Sequence, residues 1–457
     1  MMTDFEMSKV IAEKVKALGG KTYYVGGYVR DKFLHRDNKD IDIEIYNIAV
    51  EQLRDILDSI GERTEFGKSF GVFGLKGYTI DIAMPRKERC IGIGHRDFEV
   101  SVDPFMSTYD AAKRRDLTMN ALMEDVLTGE IVDHFGGVDD IKKRIIRHID
   151  DKTFVEDALR VLRVAQFGAR FNMTVAPCTV DLCRSMDITH LPAERVFEEM
   201  KKALLKSSKP SIFFKILDEM NQLNYWFNEV EMLKYVPQNE KYHTEGSVWN
   251  HTMMVLDNAT AFFKTTDNPT AFMLTALCHD FGKIVATIKG NDGYTHSYGH
   301  ENHGDGLITT FITKLTAEKD ILEYVLNLSK YHMLPHQTYN NKSRVKKTNH
   351  MFDNAIDKRG LIYLANADSE GKGINGCVDA SAYDEFLWLS DRLRTYENTM
   401  SEPYVQGRDL VEAGLKPCKE FGELLAYSHK LRLAGINKED TLRQTLAMAK
   451  KIIKTKN

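Results

Sequence analysis

A strand that runs into a glycine pair and straight on into a helix leaves a chain few folds to choose from. This chain carries one near its start, at Tyr23-Tyr24-Val25-Gly26-Gly27-Tyr28-Val29-Arg30-Asp31. The tyrosines and Val25 suit a buried strand, the glycines allow a turn that bulkier residues resist, and Tyr28 onward reads as a helix. Such a turn aims backbone N–H groups at an anion, so it is expected to cradle phosphate. Arg30, placed in the first helical turn, adds a fixed charge over a triphosphate, and Asp31 suits the positive end of the helix dipole. The head of the chain is therefore expected to be an α/β layer.

Asp40-Ile41-Asp42-Ile43-Glu44-Ile45 alternates with a period of two, which puts both aspartates on one strand face and the isoleucines on the other. Two carboxylates on one face can hold Mg²⁺, a cation that takes oxygen ligands and shares them between protein and substrate phosphates. That arrangement suits transfer of a nucleotidyl group onto a hydroxyl. Asp81, in Tyr78-Thr79-Ile80-Asp81-Ile82, is a candidate third carboxylate from a neighbouring strand. An isolated Asp-x-Asp arises by chance about once in a few hundred positions, so its company decides its meaning. Here that company is the glycine turn and Arg114-Arg115-Asp116-Leu117-Thr118-Met119-Asn120.

Farther on, Leu159, Leu162, Ala165 and Ala169 form a helical apolar stripe that leaves Asp157 and Arg160 as neighbours on another face. From spacing alone this pair has two readings. One is a surface ion pair worth under about 1 kcal/mol. The other is a recognition edge, in which a carboxylate and a guanidinium match the amino donor and ring-nitrogen acceptor shared by cytosine and adenine. Uracil and guanine present the opposite polarity there, and a hydrogen-bonding site can reject a mismatch by about 10⁴ to 10⁵.

A second set of residues, in Trp249-Asn250-His251-Thr252, Cys278-His279-Asp280-Phe281-Gly282-Lys283 and Ala365-Asn366-Ala367-Asp368, matches the spacing of an HD-type metal phosphohydrolase. Mixed imidazole and carboxylate ligands at His251, His279, Asp280 and Asp368 favour Mn²⁺, Co²⁺ or Ni²⁺ over Mg²⁺. His300 and His332, between the outer ligands, are candidates to contact a phosphate or a second metal.

Taken together, these motifs resemble the class II tRNA nucleotidyltransferases (CCA-adding enzymes) and the related bacterial poly(A) polymerases. The likeness spans nearly the whole chain and also includes Asp133 with Gly136-Gly137 and Asp140, and Glu156-Asp157-Ala158-Leu159-Arg160. It implies that Asp40 and Asp42 bind the catalytic metal, and that Gly27, Arg30 and Arg115 contact nucleotide. It further implies that Asp157 and Arg160 template CTP and ATP, with Arg163 and Gln166 continuing the nucleotide-facing set. Gln166 stands where many members carry a further arginine, and it brings no charge. The expected partners are the tRNA 3′ end, CTP and ATP. The resemblance also implies hydrolysis of 2′,3′-cyclic phosphates and 2′-nucleotides at the second site. Arg86-Lys87-Glu88-Arg89-Cys90-Ile91-Gly92-Ile93-Gly94-His95 reads as a mobile loop whose presence favours the full C-C-A product. Two rivals remain: a poly(A) polymerase, whose relatives usually lack an HD module and carry a basic tail, and a hydrolase or RNA-binding protein with an inactive head.

At 457 residues the chain is too long for one core. The expected fold class is α+β: a nucleotidyltransferase head over residues 1–138, then an all-helical neck (139–235), HD domain (236–378) and tail (379–457). A net charge of −4 and a pI near 6.4 argue against a general nucleic-acid binder. Lys142, Lys143, Arg144, Arg147, Arg160, Arg163 and Arg170 nevertheless form a local basic region able to steer RNA. Six cysteines without a Cys-x-x-Cys pair point to a reducing compartment and no cysteine-bound zinc. With no apparent signal peptide or membrane-spanning run, a cytoplasmic protein is expected.

Overall fold

Lys21–Val25 (β1) is buried at every position after the lysine, as its aromatic and β-branched residues require. It pairs antiparallel with Ile41–Tyr46 (β2), whose isoleucines all face the core. Arg63–Phe66 (β3), Val72–Leu75 (β4) and Ile80–Ala83 (β5) follow. Arg86–Cys90 (β6) and Phe98–Val102 (β7) form a hairpin of their own, and Met123–Asp125 (β8) and Ile131–Val132 (β9) complete the head. The main sheet runs β3-β4-β5-β2-β1-β8-β9. Its β2–β5 pair is parallel and sets Asp42 directly against Asp81. The helix Asp4–Ala17, started by a Thr3/Glu6 capping box, buries Met7, Ile11 and Val15 and brings Ser8 Oγ within 2.6 Å of Tyr24 Oη.

The computed structural model describes residues 2–456 other than 39, 67–70, 91–97, 240, 242 and 373–379. Chain contacts divide it into two compact units, Met1–Ser207 with Ile212–Gln222, and Ser208–Ser211 with Leu223–Asn457. In the first, Leu159–Phe171 packs against Ala193–Lys206. The expected stripe of Leu159, Leu162, Ala165 and Ala169 is buried, and so are Val161, Val164 and Gln166, because the helix is covered on more than one side. The polar exceptions along it are Arg160, Arg163 and Arg170, which keep partial exposure.

The second unit is built around Pro269–Cys278, started by Asn268 and Pro269, in which every residue from Ala271 to Cys278 is buried. Val248–Asn258, Lys319–Tyr331 and Lys358–Glu370 contact it. The C-terminal helices Glu420–Leu433 and Lys438–Lys456 close over a small core of Val405, Leu410, Leu424 and Ala449. Among the described residues no helix is long and apolar enough to cross a membrane.

The α+β class holds, with three departures from the sequence reading. Ile145–Ile146 pairs with Thr174–Val175, and Ile288–Lys289 with Thr295–His296, so the segments after the head are not purely helical. The stretch read as a mobile loop from Arg86 begins as a β-strand: Arg86–Cys90 is in register with Phe98–Val102. Residues 91–95 of that expected loop lie outside the described residues. The basic region is also not one helical face. Lys142 and Lys143 end the helix Gly137–Lys143, the Arg144 guanidinium donates to the Asn172 carbonyl, and Arg147 pairs with Asp140.

Two candidate active sites

The glycine turn forms as expected. Gly26 has φ +62°, a conformation that disfavours side chains, and a Cβ there would approach Arg115 Nη1 to 3.3 Å. The helix Gly27–Phe33 follows, but Arg30 falls in its last turn and no acid lies in its first. Asp31 is therefore not a dipole-capping acid. It is the buried counter-ion of Arg30, whose Nε donates to Asp31 Oδ1 at 2.8 Å, and it accepts from Asn38 at 2.9 Å. Arg30 Nη1 donates to Asn120 Oδ1 at 2.8 Å, and the guanidinium lies over Phe167 and Phe171. Burial pulls the Arg30 pKa down, with Asp31 opposing it.

Asp116 joins this arrangement from the other side. Its carboxylate accepts from Asn120 Nδ2 at 3.0 Å, from Arg163 Nε at 2.7 Å and from the Leu117 N–H at 2.8 Å. Burial acts to raise its pKa, but the Arg163 charge and these hydrogen bonds hold it below the ordinary carboxylate value. Asp133 and Asp140 work one layer out. Asp133 accepts from the N–H groups of Gly137 and Val138, and Asp140 accepts from Thr118 Oγ1, steadying the short turn that carries Asn120.

Two adjoining cavities open on this framework, of about 450 and 390 Å³, and both are lined by Asp42, Arg114, Arg115 and Arg160. The first adds Asp81, Glu44 and Arg86. The second adds Gly26, Gly27, Arg30, Asp157 and Arg163. Burial raises the Asp42 carboxyl to about 6, with Asp81 opposite contributing in the same sense and Arg115 opposing. A carboxylate that resists ionisation, set against a second one, is a donor set suited to a hard divalent cation. Asp40 sits just before β2, exposed, its N–H bonded to Asn38 Oδ1.

Two expectations change here. Asp157 is not on the helix face beside Arg160: the helix starts at Leu159, and Asp157 Oδ1 accepts the Leu159 N–H at 3.0 Å. Arg160 is held by the Thr153 and Arg114 carbonyls, at 2.7 and 2.8 Å. Both residues still face the second cavity. Gln166 does not line either cavity. It is 1% exposed, and its Nε2 has no hydrogen-bond partner. Arg195 and Phe167 line the second cavity without having been singled out. Phe167 reads as core from its spacing, and Arg195 as an ordinary residue of a helix start.

In the second unit all six residues expected at the HD site converge. His251 Nε2 lies 2.9 Å from Asp368 Oδ1 and 3.6 Å from Asp280 Oδ2, and His279 Nε2 lies 3.4 Å from the same Asp280 oxygen. His300 Nε2 is 3.2 Å from Asp280 Oδ1 and 3.1 Å from His332 Nε2. Although these atoms are close, His251 Nε2 and His279 Nε2 are buried without a well-directed hydrogen bond, while Asp280 Oδ2 lies 2.7 Å from the Lys283 ammonium. Ligand atoms of His251, His279 and Asp280, and separately of Asp280, His300 and His332, lie within 4.8 Å of one another. Unsatisfied donors and acceptors gathered in this way fit a transition-metal ion.

The HD donors meet because the chain makes one unusual approach. A Cβ on Gly282 would lie 1.9 Å from the His300 carbonyl oxygen, so only glycine lets the Asp280 turn lie against His300. Burial would raise the pKa of Asp280 and Asp368, but Lys283 and His279 beside the first, and Lys372 and His251 beside the second, hold both well below the usual range. Burial, reinforced by His279, pushes His332 down to about 3, leaving a neutral imidazole. Around this centre, His336 bridges Asp368 and Glu385 at 2.9 Å each, and Glu245 reaches His251 Nδ1 at 3.3 Å. Neither residue was singled out from the sequence, because such orienting contacts leave no spacing signature.

A family model described as "Poly A polymerase head domain" matches residues 22–147, and one described as "Probable RNA and SrmB- binding site of polymerase A" matches residues 172–233. The chain is 36% identical over 322 residues to a "Multifunctional CCA protein" of Actinobacillus pleuropneumoniae, covering 69% of this chain and 76% of that one. It is 33% identical over 411 residues to the "Multifunctional CCA protein" of Pasteurella multocida, covering 87% and 92%. In fold it is similar to the Bacillus stearothermophilus CCA-adding enzyme in complex with CTP (TM-score 0.63, 19% identity, 100% of each chain). A Thermotoga maritima CCA-adding enzyme complexed with tRNA is similar as well (TM-score 0.62, 17% identity, 97% of this chain and 95% of that one).

The raised Asp42 carboxyl makes a pH-dependent prediction. Its folded pKa of about 6 exceeds the unfolded value of 3.8. The folded state therefore holds its proton more tightly, and the stability this contributes is full below pH 4 and lost as pH rises through 6. In the metal-free protein Asp42→Asn should not lose it. Discounted for screening to on the order of 1 kcal/mol, the gain is about 2–4 °C in Tm. Thermal melts in chelator should show that gain at pH 8 and none at pH 3.5; equal melting of both proteins at pH 8 would contradict the assigned environment.

Proposed function

The chain belongs to the family of multifunctional CCA proteins, and from that premise we propose that it adds C, C and A to the 3′ end of tRNA from CTP and ATP without a nucleic-acid template. The observation that carries this reading is the Asp42/Asp81 pair, set side by side by the β2–β5 register, at a cavity shared with Arg115 and Arg160. Asp40 and Asp42, with Asp81 opposite, would hold Mg²⁺, which supplies the charge that activates a 3′-hydroxyl and steadies departing pyrophosphate. Gly27, Arg30 and Arg115 take the triphosphate side of the cavity. Arg30 acts from a buried position, so its part is to fix the turn and add field rather than to reach outward.

Asp157 and Arg160 select the base. Arg160 uses two of its five donors on backbone carbonyls, which fixes the guanidinium plane and leaves the remaining donors for a base edge. Asp157 supplies the acceptor beside it. Arg163, pinned by Asp116 and lying over Phe167, forms the neighbouring wall. We retain the four segments 1–138, 139–235, 236–378 and 379–457 as head, neck, HD domain and tail, although the division into two units falls inside the neck, after Gln222. We place the protein in the cytoplasm, where tRNA ends are completed.

Transcripts ending before C-C-A, before C-A and before A, each offered single nucleotides and then sequenced, should gain only C or only A according to the preceding base. Runs of A on all three ends would instead favour a poly(A) polymerase. Asp157→Ala should lose discrimination against UTP and GTP, toward the about 10⁴-fold that polarity matching can supply, or lower all incorporation. Unchanged rates and selectivity would reduce the pair to a structural contact.

The second centre is proposed as a phosphohydrolase acting on 2′,3′-cyclic phosphates and 2′-nucleotides. His251, His279, Asp280 and Asp368 would hold Mn²⁺, Co²⁺ or Ni²⁺, which supplies a nucleophilic hydroxide at neutral pH. His300 and the neutral His332, both lining the cavity, would face the phosphate. His279→Ala and Asp280→Ala should abolish hydrolysis across those three metals while C-C-A addition survives. Loss of both activities together would mean that the two centres are not separable.

A further inference from the structure

The HD centre opens into a cavity of about 400 Å³, within the range of about 300–1,000 Å³ usual for small-ligand sites. It is lined by Asp280, His300, His332 and Asp368 and by the lysines Lys283 and Lys372. The proposed metal ligands and the two lysines account for a phosphate. They leave unexplained Thr295, His296 and Ser297, which also line it and lie in or next to the strand Thr295–His296 that pairs with Ile288–Lys289.

His296 is not a loose surface side chain. Asp292 holds its Nε2 with both carboxylate oxygens, at 3.0 and 2.8 Å. Its ring lies parallel to that of Tyr298, with centroids 4.9 Å apart and planes 9° apart. Tyr298 is 71% exposed, so the ring face turned away from His296 is open to solvent. His296 lines the cavity together with His300, and Tyr298, stacked on His296 and two residues before His300, stands next to it without lining it. A pinned, parallel aromatic pair with an open outer ring beside a phosphate site is a surface on which a planar heterocycle stacks.

We propose that His296 and Tyr298 form a nucleobase subsite of the HD centre, so that this centre takes nucleotides in preference to bare phosphoesters. The inference rests on the hydrolase reading for its phosphate side. Base–aromatic stacking is sequence-tolerant, since every base has a π-face, so the subsite should accept purines and pyrimidines alike, purines more tightly.

The test compares 2′-AMP with glycerol 2-phosphate, which offers the same phosphoester without a base, on the full-length protein in Mn²⁺, Co²⁺ and Ni²⁺. Tyr298→Ala should lower the ratio of kcat/KM for 2′-AMP over glycerol 2-phosphate by about tenfold, through KM, and Tyr298→Phe should restore it. Calorimetric titration of 2′-AMP should show the same weakening in the metal-loaded protein. An unchanged ratio and unchanged affinity in Tyr298→Ala would overturn the subsite, as would an equal fall on both substrates, which marks a hairpin that merely packs. If the intact protein hydrolyses neither compound yet binds 2′-AMP with the same dependence on Tyr298, the hydrolase reading fails and the subsite stands.

Discussion

The Asp116 carboxylate ties together three parts of the chain that would otherwise be free to move apart. Through Asn120 it reaches Arg30 and the helix behind the glycine turn, and through Arg163 it reaches the helix Leu159–Phe171. All of this happens with Asp116, Asn120 and Arg30 buried, where an ion pair contributes little net stability but the loss of one partner costs about 3–5 kcal/mol. The network therefore acts chiefly as a fixture. It fixes the glycine turn relative to the helix that carries Arg160 and Arg163, residues of which line the two cavities of the head.

The second unit uses a different constraint. The residues of its centre come from Val248–Asn258 and Lys358–Glu370, from the ends of Pro269–Cys278 and Lys319–Tyr331, and from the segment around His300, and no single ion pair gathers them. What gathers them is the backbone approach at Gly282, with Asp280 on one side and His300 on the other. Lys283, 2.7 Å from Asp280 Oδ2, supplies positive charge at a place where a bound cation would otherwise be needed. Each unit thus carries its own set of acidic and imidazole or guanidinium groups, on which the proposal of two separable chemistries rests.

Much of this was legible before any coordinates. Period-two alternation put Asp42 on the outward face of a strand, and the same pattern around Asp81 offered the partner that the parallel register supplies. The HD spacing named His251, His279, Asp280 and Asp368, each on or next to a buried helix whose position the apolar pattern sets, while His300 and His332, taken only as candidates, meet them in the fold. What failed did so for reasons that spacing does not carry. Asp157 looks helical from its spacing to Arg160, yet an aspartate just before a helix does better accepting a free N–H than continuing the turn. Gln166 was read from a position in a motif, while its helix is covered on a further side that the apolar stripe did not reveal. The strand Arg86–Cys90 is rich in charge and poor in alternation, so its pairing with Phe98–Val102 is a tertiary outcome.

The claim on which the rest turns is that Asp40 and Asp42 serve a single metal-dependent transfer site used for both nucleotides. Incorporation of CTP onto a transcript lacking C-C-A, and of ATP onto one lacking only A, measured in Mg²⁺ for Asp40→Ala and Asp42→Ala, tests it directly. The account predicts that each variant, still folded and still active as a phosphohydrolase, loses both incorporations by about 10³-fold or more, as expected when several kcal/mol of charge stabilisation are removed. Substantial incorporation of either nucleotide by both variants would contradict it.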